Sequence, residues 1–298
     1  AAAFELIVTV VAVIGILIFA GATAPHFEFS NLKANCFPNG YSGIFAAIPF
    51  AIWFFLAIEG VANVAEETIN PQKNVVIGFG SAILTLVILC FLTFGTSVGV
   101  AGWEAVVYPE TGGDASDSPL PMALSRIVQN DLLYNLFITL GLFGLIASFH
   151  GILLAAGRAS FEFGRVGYGP KAVGKVHKKF QTPANALLLN MGIGIIALLT
   201  GKTSEIITIA CFGALSLYII SMISLFALRK KEPELERPFK VPLYPVFPAI
   251  ALSIAAFSLV AVTWYNAQLA IIYFSILAAA YTGVHFFTKK GISKNNLT

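Results

Sequence analysis

Long unbroken apolar runs dominate this chain, near residues 3–24, 42–65, 75–101, 132–157, 184–200, 204–228, 246–264 and 268–288. Roughly 20 mostly apolar residues are needed to cross the hydrocarbon of a bilayer. Only helices or closed barrels satisfy their backbone groups there, and continuous runs rather than short alternating segments favour helices. The pattern predicts an all-α membrane protein with eight transmembrane helices. Two runs depart from the rest: 184–200 is short, and 42–65 is interrupted by Glu59.

The polar connections orient these helices. Of 18 Lys and Arg residues, fifteen fall in alternate connections, within 66–74, 158–183, 229–245 and 289–298; only Lys33, Arg126 and Lys202 lie in the opposite set. Basic residues stay on the cytoplasmic side, so both ends of this chain are expected in the cytoplasm of a multi-pass protein of the cell (inner) membrane. Span topology accounts for these basic loops better than a nucleic-acid site does. The opposite loops, 25–41 and 102–131, are polar and rich in Gly, Pro and acids. The longer one can form short helices and act as a lid, or be a plain solvated connection.

Composition agrees. The chain of 298 residues is 57% hydrophobic and 11% charged, against about 25% charged in typical soluble domains. Three cysteines, Cys36, Cys90 and Cys211, make neither a disulfide framework nor a metal-ligand spacing. The sequence opens inside an apolar stretch without a basic leader, so the expectation is the C-terminal part of a larger membrane protein.

The candidate chemistry lies in "FFLAIEGVANVAEETINPQKN". From Ser42 the apolar character continues to a stop at Asn70-Pro71, a stretch of roughly 43 Å as one helix at about 1.5 Å per residue. Glu59 falls near its middle, where an acid costs roughly 2.5–3.5 kcal/mol on insertion scales and marks a functional site by default. Gly60 adds backbone freedom beside it, and Pro49 weakens the hydrogen-bond ladder upstream. An unwound break near 57–61 follows, facing a watery or protein-enclosed cavity. The alternative is a protonated Glu59 in an unbroken helix. Trp53, about two turns away, offers a ring face that attracts cations, or simply packs. Glu66 and Glu67 read as solvated or gate-region charges.

A second helix carries small residues at Gly141, Gly144, Ser148, Gly151 and Ala155, a smooth face for close approach of another helix. Ser148 on that face can contact an ion or substrate, or bond its own backbone. His150 reads first as a hydrogen-bonded packing residue, with a proton relay as the alternative. Motifs of soluble chemistry are missing. "TGKT" at 200–203 lacks the first glycine of a phosphate loop, since Ile196 stands there, and no H-E-x-x-H or G-x-S-x-G occurs. No enzyme, cofactor or metal centre is expected.

"WFFLAIEGVANVAEETINPQKNV" resembles the sixth-helix signature of the amino acid–polyamine–organocation transporters. "GRASFEFGRVGYGPKAVGKVHKKFQTPANA" is similar to the loop after their eighth helix, and "LRKKEPELERPFKVPLYPVFP" to the loop after their tenth. The resemblance implies a LeuT-like inverted-repeat fold lacking its first four helices. Residues 1–24 would be the fifth helix and 25–41 an extracellular loop. Residues 42–228 would be the second five-helix repeat, 229–245 a cytoplasmic loop, 246–288 the last two helices and 289–298 a cytoplasmic tail. It further implies a substrate site at Trp53, Ala57, Ile58, Glu59 and Gly60, with Glu59 sensing protons or pairing an amine. Ala57 departs from the Gly-x-Glu of that signature. Ser148 corresponds to a region that faces an ion in sodium-coupled relatives; sodium and proton stay open as coupling ions.

The function expected on this basis is secondary transport of a small organic amine, ethanolamine, by alternating access around Glu59. The alternatives are an amino acid permease of the same superfamily and a membrane sensor that binds without transporting. The partners expected are the amine or amino acid and the lipid bilayer, without nucleic acid; a homo-oligomer is compatible with this reading.

Overall fold

A computed structural model describes residues 2–288 except Thr111, Gly112, Gln129 and Pro238; the side chains of residues 2, 62–64, 66, 67 and 285–288 are outside that description. The expected cytoplasmic tail, 289–298, lies outside the described residues, as do the side chains of Glu66 and Glu67.

In chain order, α1 (Ala2–Thr23) leads through a 3-10 turn (Ala24–His26) to the short α2 (Phe29–Lys33). The next apolar run is divided into α3 (Ser42–Ala46), α4 (Ile48–Trp53) and a 3-10 segment (Ile58–Glu67). Then come α5 (Pro71–Ala101), α6 (Trp103–Val107), α7 (Pro119–Ser125), α8 (Asp131–Arg165), α9 (Ala184–Leu199), α10 (Thr203–Lys231), α11 (Val246–Tyr265) and α12 (Ala267–Thr288). Pro71 opens α5, where its missing N–H breaks no intrahelical bond.

Among the described residues, six helices are long and apolar enough to cross a membrane: α1, α5, α8, α10, α11 and α12. The short run forms a shorter apolar helix, Ala184–Leu199, and the interrupted run a shorter apolar stretch of helical turns, Ile48–Val61. Large apolar side chains stand outward along these helices, Leu84, Ile88 and Phe91 on α5 for example. Such a surface is costly in water and matches the chains of lipid.

The chain forms two compact units. The first holds the residues up to Pro38 together with Gly80–Leu154. Its buried core is Phe19, Val98, Val106, Ala123 and Leu124, at the end where the two polar loops meet the helices. The described part of 102–131 is more than a plain connection. Its α6 and α7 place Val106, Ala123 and Leu124 in that core. Hydrogen bonds stitch the 25–41 loop to the end of α5 and to α6. Asn31 Nδ2 donates to the Gly99 carbonyl at 2.8 Å, and Asn35 Nδ2 donates to Glu104 Oε1 at 2.6 Å. The Trp103 indole donates to the Asn35 carbonyl at 3.0 Å.

Also in this unit, α1 approaches the small face of α8. A Cβ placed on Gly144 would lie 3.5 Å from the Ala12 Cβ, and one on Gly151 would lie 3.2 Å from Glu5 Oε1. Ala147 is buried between them. The expected face is therefore real but rotated. At roughly 100° per residue its centre lies near Gly151, which leaves Gly141 and Ser148 on the flank. Gly141 meets nothing, and Ser148 is exposed.

The second unit holds Asn39–Phe79 and the residues from Ala155 onward. Phe212, Leu215, Ala255, Val262 and Ala270 form its core, with Ile48, Ile52 and Tyr218 packed against it. Phe212 stacks on Tyr273 with centroids 5.6 Å apart. Asn190 of α9 donates to Ser160 Oγ of α8 at 2.8 Å, a polar tie in an apolar setting. Beyond α8 the chain folds back so that Gly174 meets the backbone of Gly164 and Arg165. A Cβ on Gly174 would sit 2.5 Å from both the Gly164 carbonyl carbon and the Arg165 nitrogen.

Candidate functional site

The site is built on the broken helix of the second unit. Pro49, buried in the first turn of α4, has no N–H for the ladder, and the helix is already discontinuous at Ala47 between α3 and α4. After Ile52 the bonds shorten to three-residue steps: Phe55 N donates to the Ile52 carbonyl at 2.8 Å and Leu56 N to the Trp53 carbonyl at 3.3 Å. Ala57 then turns left-handed, at φ 69° and ψ 1°, and the 3-10 segment starts at Ile58. Glu59 thus lies in a 3-10 segment just after a left-handed residue. The second interruption begins at Phe54, a turn before Glu59 and Gly60, and its left-handed residue is Ala57 and not Gly60.

This geometry frees polar backbone. The first N–H groups of a helix have no intrahelical partner; here they belong to Ile58 and Glu59, beside the left-handed turn. A non-glycine residue held at positive φ costs on the order of 1–3 kcal/mol and persists only when its surroundings enforce it.

Those surroundings include α10. The Tyr218 hydroxyl donates to Glu59 Oε2 at 3.4 Å, a long bond in a partly buried setting. Seven residues earlier on α10, fully buried Cys211 donates its thiol to the Pro49 carbonyl at 2.9 Å. Residues seven apart share a helix face, so one face of α10 holds the chain on both sides of the break. Glu59 thus contributes an acid and Tyr218 a hydroxyl. With the first N–H groups of the 3-10 segment, they make a polar cluster at the break.

Trp53 ends α4 and is 41% exposed; among the described residues it makes no hydrogen bond or ring contact with Glu59. Ile58, Glu59 and Gly60 are half-buried, whereas Ala57 is exposed, and a Cβ on Gly60 would lie 3.4 Å from the Ala155 Cβ. Ser148 belongs to the first unit. Tyr218 and Cys211 were not singled out by sequence, and only Tyr218 left a signal there, a polar-tipped ring within an apolar run. A crevice between α11 and α12, lined by Leu259, Val260, Thr263, Trp264, Ala267 and Phe274, offers no charged group. Among the described residues no cluster of His, Cys, Asp and Glu could hold a metal ion.

Known proteins place this architecture. An uncharacterised transporter of Rhizobium meliloti is 28% identical over 301 residues, covering 97% of this chain and 63% of that protein. A branched-chain amino acid permease of Bacillus subtilis is 26% identical, covering 87% of this chain and 54% of its own length. A methylthioribose transporter of the same organism is 28% identical, covering 77% and 48%. The chain therefore spans about half to under two thirds of the length of these relatives. The family model described as amino acid permease matches residues 2–286. With its several membrane-length helices, the chain is an integral multi-pass membrane protein that belongs to the amino acid permease family of the amino acid–polyamine–organocation superfamily.

Proposed function

We propose that this chain is part of a secondary transporter that imports an amino acid by alternating access around the break at Ala57–Gly60. The observation that carries this is the left-handed Ala57, which opens the helix beside a half-buried acid tied to Tyr218. In this mechanism the substrate carboxylate is received by the N–H groups of Ile58 and Glu59, at the start of a half-helix. Its ammonium is paired by Glu59, with the Trp53 face closing over it. An amino acid uses both halves of the cluster, whereas ethanolamine leaves the N–H groups without an anion. The branched-chain permease among the relatives supports the same choice; ethanolamine is set aside as the first cargo. Ser148 is kept as a separate candidate for ion or substrate contact, and Glu66 and Glu67 as gate-region charges. Both ends of the chain are placed in the cytoplasm, on the distribution of Lys and Arg.

Uptake by the intact protein in liposomes tests this, with labelled leucine competed by a panel of amino acids and by ethanolamine. Competition by amino acids with none by ethanolamine is expected; the reverse order returns the amine. Glu59→Gln should abolish uptake while leaving membrane insertion unchanged, and normal uptake by that variant removes Glu59 from the mechanism.

A further inference from the structure

The connection between α8 and α9 carries charge that nothing within it balances. Residues 166–183 hold Lys171, Lys175, Lys178 and Lys179, and the sequence has no Asp or Glu between Glu162 and Glu205. Glu162 is already engaged by Arg165, whose guanidinium lies 2.8 Å from its carboxylate. All four lysines are exposed, and among the described residues none of them forms an ion pair. The other strongly basic connection, 229–245, differs. Glu232, Glu234 and Glu236 stand among its basic residues, and Arg237 directs its guanidinium to the carbonyls of Glu232, Pro233 and Leu235. An excess of Lys and Arg on one side orients spans, but orientation alone requires neither a folded loop nor apolar side chains beside the charges.

This loop has both. Gly174 packs on the backbone of Gly164 and Arg165 at the end of α8. Asn185, in the first turn of α9, donates Nδ2 to the Ala172 carbonyl at 2.8 Å. Further on, the His177 N–H donates to the Thr182 carbonyl at 2.8 Å and the Gln181 N–H to the His177 carbonyl at 2.9 Å. His177 Nδ1 accepts the N–H groups of Lys179 and Phe180. The backbone is thus closed into a tight turn that carries Lys178, Lys179 and Phe180. Phe180 is 64% exposed and Val176 46%. Because α9 turns apolar within its first turn, the tie to Asn185 holds the loop at the edge of the hydrocarbon.

Lysines beside exposed apolar side chains suit a bilayer interface. The apolar groups enter the acyl boundary, and the ammonium groups reach the phosphates. A soluble anion would leave Val176 and Phe180 in water, whereas a lipid covers them. We propose that the folded α8–α9 loop is a binding surface for anionic phospholipid, with Lys171, Lys175, Lys178 and Lys179 meeting headgroup phosphates and Val176 and Phe180 seated at the acyl edge. This surface ties the ends of α8 and α9 to one leaflet, and it does not depend on which solute is carried.

The test exposes the intact protein, purified in a neutral detergent, to equal amounts of phosphatidylglycerol and phosphatidylcholine, and counts the retained lipids by native mass spectrometry. Each lysine near an anionic surface is worth about fivefold in binding, so engaging two of them gives phosphatidylglycerol at least about a tenfold preference. Replacing the four lysines together (Lys171→Gln, Lys175→Gln, Lys178→Gln, Lys179→Gln) should lower that preference by at least about tenfold. Lys230→Gln with Lys231→Gln, in the loop that carries its own acids, should lower it by less than about twofold. No preference in the unaltered protein overturns the proposal, and so does an unchanged preference in the fourfold variant. An equal loss in both variants does the same, since it makes the preference a matter of total charge. Displacement of the lipid by an equal concentration of glycerol phosphate also overturns it, because a soluble anion makes no use of Val176 and Phe180. Capture of a soluble polyglutamate peptide without any lipid preference assigns the surface to an acidic protein instead. Should the fourfold variant not purify, the pairs Lys171→Gln with Lys175→Gln and Lys178→Gln with Lys179→Gln decide in its place.

Discussion

Ala57→Gly should stabilise the protein, although alanine is ordinarily the better helix residue. Ala57 sits at φ 69°, in the left-handed region, and its side chain is exposed. An L-residue pays roughly 1–2 kcal/mol for that conformation. Glycine escapes this cost but gives the unfolded chain more freedom, worth about 0.4–1 kcal/mol in the opposite direction. The net expectation is a gain of about 0.5–1 kcal/mol. Ala57→Val, with its branched Cβ, should lose at least ~1 kcal/mol, because branched residues tolerate positive φ worst. Exposure of the position keeps packing out of the comparison. For a protein of this size about 2–4 °C of melting temperature corresponds to each kcal/mol. Thermal melts of the detergent-solubilised intact protein, followed by tryptophan fluorescence, should therefore rank Gly above Ala above Val across roughly 3–8 °C. A glycine variant that melts lower than the unaltered protein, or a valine variant that matches it, refutes the left-handed turn as a strained point.

Tyr218→Phe removes the hydroxyl that bonds Glu59; hydrogen bonds to charged groups are worth about 1.5–3 kcal/mol, and this long one should fall at the low end. A drop of about tenfold in apparent affinity for leucine is expected, and an unchanged competition curve would separate Tyr218 from the site. Gly174→Ala forces a Cβ against the backbone of Gly164 and Arg165, which cannot move aside as a side chain would. Overpacking of this kind costs about 1–3 kcal/mol, and the yield of folded protein by size-exclusion chromatography should fall accordingly; a normal yield and melting temperature would show the return of the loop to be loose.

Most of the helical plan is written in local sequence, because an apolar run of sufficient length has few alternatives in lipid. The runs at 75–101, 132–157, 204–228 and 246–264 all fall on long helices, and Asn70-Pro71 marks the start of α5. The break is half legible. Glu59 and Gly60 point to its neighbourhood, yet the left-handed position falls on Ala57, which nothing but the resemblance to a Gly-x-Glu signature sets apart. Partners are the illegible part. Tyr218 and Glu59 are separated by 159 residues, and Glu5 and His150 by 145. Only packing decides which polar tips meet over such separations. Glu5 could have been flagged, since a lone acid in an apolar run is the same signal that singles out Glu59. The 102–131 loop hid its burial because short helices with few apolar residues do not declare which face is covered.

The two ties on α10 act as a splint. Cys211 grips the chain ahead of the break and Tyr218 grips it behind, about 10 Å apart along one rigid rod. A broken segment clamped at both ends cannot swing as two free arms. Either it flexes between its clamps, or α10 travels with it, so the long helix becomes the lever through which any movement at Glu59 is felt by α11 and α12.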